Sequence, residues 1–160
     1  MLRNTLAAAL LVLPLAAFAQ NPPAADRYVD IANWPTSEAG LDRFAGAEAA
    51  LNAGFDKICG DTFCEGEFHN LRPTQLTCSV DVTKSTMKQC LWTFAGSTAQ
   101  VNGKSGAVQV NAKLFKCKLA LAKDTPVESF YETLMAAKDP LEVKLPMTRK
   151  TIYEGLLGCL

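Results

Sequence analysis

Cys78 and Cys90 each sit in a run that alternates apolar and polar residues, and these two runs constrain the fold more than anything else in the chain. Leu76, Cys78, Val80 and Val82 alternate with Thr77, Ser79 and Asp81, the period of two of a strand with one buried face. Cys90, Trp92 and Phe94 alternate in the same way with Gln89 and Thr93. A turn centred on Lys84 sets Cys78 opposite Cys90 and Leu76 opposite Trp92, so one register buries both runs on a common face. Asn102-Gly103 predicts a second tight hairpin, because both central residues of a type I′ turn need positive φ, and residues 108–121 supply the return strand. In that strand the apolar phase moves from Val108, Val110, Ala112 and Leu114 to Phe115, Cys117, Leu119 and Leu121, as one bulged residue near Leu114 would make it do. Residues 76–121 thus read as a three-stranded antiparallel meander.

Helical patterns flank the meander, which makes the fold class α+β with a sheet of three or more strands. Leu41, Phe44, Leu51, Phe55 and Ile58 recur at three- and four-residue steps, with Thr36 or Ser37 as the cap and Glu38 in the positive first turn. Gly40, Gly46 and Gly54 each cost about 1 kcal/mol against Ala inside a helix. This helix therefore depends on packing, and its small residues allow close approach to a neighbour. Thr125-Pro126-Val127-Glu128 reads as a capping box before the stripe Val127, Phe130, Tyr131 and Leu134, and Asp139-Pro140 ends that helix. Thr148 or Arg149 is expected to open a last helix that turns Ile152, Leu156 and Leu160 inward.

Arg3, an apolar run over 6–15 and Ala17-Phe18-Ala19 have the layout of an export signal with a small-x-small cleavage site, so residues 1–19 are expected to be removed. Residues 20–35, with Pro22, Pro23 and Pro35, form an extended arm whose Tyr28, Val29, Ile31 and Trp34 can dock on the core. Residues 36–160 make a single α+β domain. Removing 1–19 takes one base and no acid, which leaves a formal charge of −1. That balance favours neither nucleic acid nor an anionic membrane as a partner, and no later apolar stretch reaches the length of an integral span. An exported chain, periplasmic or secreted, meets an oxidising environment, so its six cysteines are expected in three disulfides. Register pairs Cys78 with Cys90, proximity pairs Cys59 with Cys64, and elimination leaves Cys117 with Cys159.

The chain carries few signs of catalysis. His69 is the only histidine, too few for a histidine-based zinc site, and as a general base it has no evident partner. Four residues separate Cys59 from Cys64 where a thioredoxin-type redox motif has two, so the pair reads as a structural bridge. Asp61, Glu65 and Glu67 could gather on a hard cation, but Phe63 and Arg72 stand where an EF-hand has ligands. Ser97 lacks the nucleophile-elbow glycines, and no phosphate-cradling or dinucleotide glycine pattern occurs. Trp92, Phe94, Phe115 and Tyr131 have core spacing. Neither a metal nor a cofactor is expected.

What is dense in special residues is the 60–70 loop, pinned by two cysteines and presenting Phe63, Glu65, Glu67, Phe68 and His69. Loops held by a rigid scaffold commonly carry recognition. The functional expectation is a small exported binding module with a protein partner, of the inhibitor or immunity type, directed at an envelope hydrolase or a delivered toxin. The alternatives are a cell-envelope enzyme and a structural or assembly factor of the envelope.

Overall fold

The computed structural model describes residues 26–60, 64, 66–68 and 70–160. The expected export signal and the start of the arm lie outside them. Four antiparallel strands, β1 (Tyr28–Asp30), β2 (Arg72–Asp81), β3 (Thr86–Val101) and β4 (Val108–Lys118), form one sheet in sequence order. Three helices, α1 (Ser37–Ile58), α2 (Val127–Ala136) and α3 (Ile152–Leu157), cover one face of it. Cys78 lies opposite Cys90 and Leu76 opposite Trp92, the register set by the two alternating runs. Disulfides join Cys59 to Cys64, Cys78 to Cys90 and Cys117 to Cys159.

The arm contributes more than docking contacts. Tyr28, Val29 and Asp30 pair with β2 as its outer neighbour, and a single helical turn over Ile31–Asn33 then sinks Ile31 into the core. Arg27 clasps this edge. Its guanidinium donates twice to Asp81 Oδ2, at 3.0 and 2.6 Å, while Thr83 donates through its N–H and hydroxyl to Oδ1.

In α1, Thr36 caps the first turn, and Phe44, Ala47, Leu51 and Phe55 are buried. Leu41 is not; it is 58% exposed, because the buried face at this end runs through Gly40 instead. A Cβ at Gly40 would lie 2.6 Å from the Trp34 carbonyl oxygen, so the helix starts as close to the Ile31–Asn33 turn as backbone allows. Farther along, Phe55 meets Trp92 edge-on at 6.0 Å and Phe94 at 4.8 Å. Arg43 fastens α1 to α2, giving a two-pronged bond to the Glu128 carboxylate and lying 4.3 Å from the centre of the Tyr131 ring.

Several local expectations give way. No bulge interrupts β4: its register with β3 is continuous from Lys118 opposite Leu91 to Val108 opposite Val101. The irregularities fall between β2 and β3, where Thr74 of β2 and Lys88 of β3 each add one residue with no opposite in the register. The apolar phase changes because the apolar side chains change sides of the sheet: Phe115 and Cys117 point to the core, whereas Val108, Val110 and Leu114 lie on the outer face in solvent. The turn at Asn102-Gly103 is longer than a two-residue hairpin: Asn102 Oδ1 accepts from the N–H groups of Lys104 and Ser105, and Gly106 takes the positive φ. The Thr125 capping box does not form. Thr125 is buried with its hydroxyl donating to Ala122, since residues 125–127 are tied to the β2–β3 turn by Met87 N–H to Thr125 O and Val127 N–H to Ser85 O. The last helix opens at Thr151, not at Thr148 or Arg149, with Thr151 and Glu154 forming a reciprocal capping box.

Two outcomes follow. Trp92 is fully buried between Phe55 and Phe94, so Trp92→Ala should cost about 3–5 kcal/mol in chemical denaturation, and a loss below about 1 kcal/mol would place it outside the core. Hydrogen bonds from Arg27, then from Thr83, hold the Asp81 carboxyl well below the usual carboxylate range. A carboxyl depressed by folding contributes stability above its unfolded value, about 3.9, and loses that contribution as pH falls. The wild type should therefore lose stability more steeply than Asp81→Asn below about pH 5. Parallel stability curves for the two proteins would contradict this role.

Candidate binding surface

Beyond Arg72, where β2 begins opposite Ala95, β3 and β4 continue alone as a two-stranded ribbon. Its two faces differ sharply. Backbone pairing of Leu119 N–H with Cys90 O and of Asn102 N–H with Ala107 O fixes which way successive residues point. One face carries Gly96, Thr98, Gln100, Gln109, Asn111 and Lys113; the other carries Ala95, Ser97, Ala99, Val101, Val108, Val110, Ala112 and Leu114. Val101, Val108, Val110 and Leu114 are 70, 66, 69 and 56% exposed. Contiguous exposed apolar side chains of this kind mark interaction sites on soluble proteins.

Glu67, Phe68, Asn70 and Leu71 brace the ribbon from its polar side and at the free edge of β3. The Cys59–Cys64 bridge closes the base of the 60–70 loop, and Cys64, Phe68 and Leu71 are buried. Phe68 packs edge-on against Phe115 at 5.8 Å. A Cβ on Gly96 would come within 2.8 Å of Phe68 Cβ and 3.0 Å of Leu71 Cδ2, so glycine is what lets the loop sit directly on β3. Asn70 then takes the place of the missing next strand. Its side-chain oxygen accepts the Ser97 N–H at 2.6 Å and its amide donates to Ser97 Oγ at 2.8 Å. Across the ribbon, Asn111 donates to Glu67 Oε1 at 3.2 Å.

Between loop and ribbon lies an open cleft of about 790 Å³, lined by Glu67, Asn70, Thr98, Gln100, Gln109 and Asn111 among others. A second hollow, of about 310 Å³, has an apolar wall of Phe68, Leu71, Phe115 and Tyr153, with Glu67 and Lys113 at its border. Lys113 Nζ stands 4.4 Å from the centre of the Phe115 ring. Amides, hydroxyls and one carboxylate can hold a polar chain by hydrogen bonds. Among the described residues no three His, Cys, Asp or Glu side chains group as metal ligands, and no helix is long and apolar enough to cross a membrane.

Of the residues singled out in the sequence, Glu67 lines both hollows and Phe68 supports the loop from beneath. Phe63, Glu65 and His69, with Asp61, lie outside the described residues. The apolar ribbon face and the role of Asn70 were missed by sequence reasoning. Val108, Val110 and Leu114 were visible as an alternating row, but the row was joined to Phe115 and Cys117 through a bulge that β4 does not have, and Val101 was not singled out. Neither a protein-family model, nor a curated protein, nor a solved structure matches the chain.

The contact at Gly96 decides whether loop and ribbon act as one body. Gly96→Ala should cost about 1–3 kcal/mol by overpacking and speed amide exchange at Asn70 and Ser97, while Trp92 stays protected. Unchanged stability and unchanged exchange at those two positions would show that the loop does not lean on β3.

Proposed function

We propose that the protein is a small exported binding module that holds a protein partner against the ribbon and its bracing loop, in the manner of an inhibitor or immunity protein for an envelope hydrolase or a delivered toxin. The observation that carries this reading is the row of exposed Val101, Val108, Val110 and Leu114 on a ribbon held from behind by Phe68 and Asn70. A stiff apolar surface loses little conformational entropy when it docks, so more of its burial free energy appears as affinity. Three disulfides on a chain with an export-like N-terminus support an extracytoplasmic setting.

Affinity capture from periplasmic extract, comparing the wild type with Val108→Asp and Val110→Asp, tests the reading. Both side chains are in solvent, so each variant should keep its stability to within about 0.5 kcal/mol. Each should lose the retained partner by about tenfold or more. Equal retention by wild type and both variants would remove the ribbon face from the interface.

A further inference from the structure

The ribbon offers a partner more than side chains. β4 is the last strand of the sheet, its register with β3 runs without a shift over its whole length, and it contains no proline. The opposite edge, β1, is only 3 residues long. Because odd-numbered residues of β4 bond to β3, the N–H and C=O groups of Val108, Val110, Ala112, Leu114, Lys116 and Lys118 point away from the sheet. No described residue takes them up. Long, straight edges of this kind are templates for another strand; of the devices that limit such pairing (shortness, bulges, proline, charge) this one carries only charge, as Lys113, Lys116 and Lys118, which selects against partners that cannot answer it.

The charge on this edge has one sign. Between Val82 and Lys123 the chain carries seven lysines and no aspartate or glutamate, although the whole protein is balanced at 16 basic and 16 acidic residues. Among the described residues only Lys84 of the seven forms an ion pair, with Asp124. In an antiparallel pair of two copies centred on this strand, Lys116 and Lys118 would lie beside Val110 and Val108 with no carboxylate to meet them, whereas an acidic strand would supply one. Lysine and valine without aromatic or arginine anchors also leave side-chain burial a modest source of affinity. A backbone ladder supplies what the side chains lack.

We propose, building on the binding-module reading, that β4 accepts an extended acidic segment of its protein partner as a fifth strand of the sheet. On the outer face the added strand would set apolar side chains beside Val108, Val110 and Leu114 and carboxylates beside Lys116 and Lys118. The match between the sides is thus specified along the strand as well as in charge.

An end-capped synthetic peptide tests this, with threonine alternating with glutamates in its N-terminal half and with valines in its C-terminal half; a second peptide has lysines in place of the glutamates. Amide exchange followed by NMR should show new protection at Val108, Val110, Ala112, Leu114, Lys116 and Lys118 with the acidic peptide, and binding at least about tenfold weaker with the basic one. Val110→Pro removes one outward N–H and leaves the β3 ladder intact, so it should weaken acidic-peptide binding by about tenfold while Val110→Thr does not. Equal binding of both peptides, or no new protection, overturns strand addition. If Val110→Asp still abolishes partner retention in that event, the face remains a docking site and only the edge is excluded; if it does not, the binding-module reading falls as well. Protection that rises with protein concentration alone would assign the edge to a second copy, and protection appearing only with anionic phospholipid vesicles would assign it to a lipid surface. Either result overturns the proposal.

Discussion

The pairing of Cys78 with Cys90 fixes a register on which the rest of the molecule depends. With those residues opposite one another, Leu76 faces Trp92 and all four point to the side that α1 covers. A slip of β3 by one residue would turn Trp92 and Phe94 to solvent and Leu91 and Thr93 inward, since successive side chains in a strand alternate faces. The disulfide forbids that slip covalently. From this register β4 inherits its own, and Cys117, carried to the covered face, can reach Cys159 beyond α3. The chain end is thereby tied to the sheet that its middle builds.

Much of this was legible because it rests on periodicity. The strands on either side of Lys84 and the helical stripes ending in Phe55 and Leu134 announce themselves by spacing, and the cysteine pairings follow from register, adjacency and, for Cys117 with Cys159, elimination. What was not legible was set by tertiary contacts that spacing does not encode. Thr125 has a capping residue's sequence but is held by the β2–β3 turn, so its hydroxyl goes to Ala122. Asn102 and Gly103 form a strong local hairpin signal, yet the Asn102 side chain folds over a longer turn and the positive φ passes to Gly106. The largest difference lies in β4. Alternation reveals two faces but neither which of them the helices cover nor how far a strand runs past them.

That overrun gives the candidate site its character. Where the sheet is covered, the apolar residues of β3 and β4 form the core; where it projects, an equally apolar row faces solvent and the opposite side is braced by the disulfide-closed loop. Gly96 and Asn70 are the joints of this brace, one by having no side chain and the other by imitating a strand. Of the loop residues singled out by composition, Glu67 and Phe68 are placed at the brace. The exposed surface itself belongs to the ribbon they support.

The most direct test of this account is how open the ribbon face is in dilute solution. Methyl resonances of Val101, Val108, Val110 and Leu114 can be followed by NMR while a soluble paramagnetic gadolinium chelate is added, with Val80 and Leu51 as buried references. Strong attenuation of the first four at every protein concentration, with little of the references, is expected. Shielding of the ribbon methyls in dilute protein would mean that the chain itself covers the face, and would contradict its assignment as a docking surface.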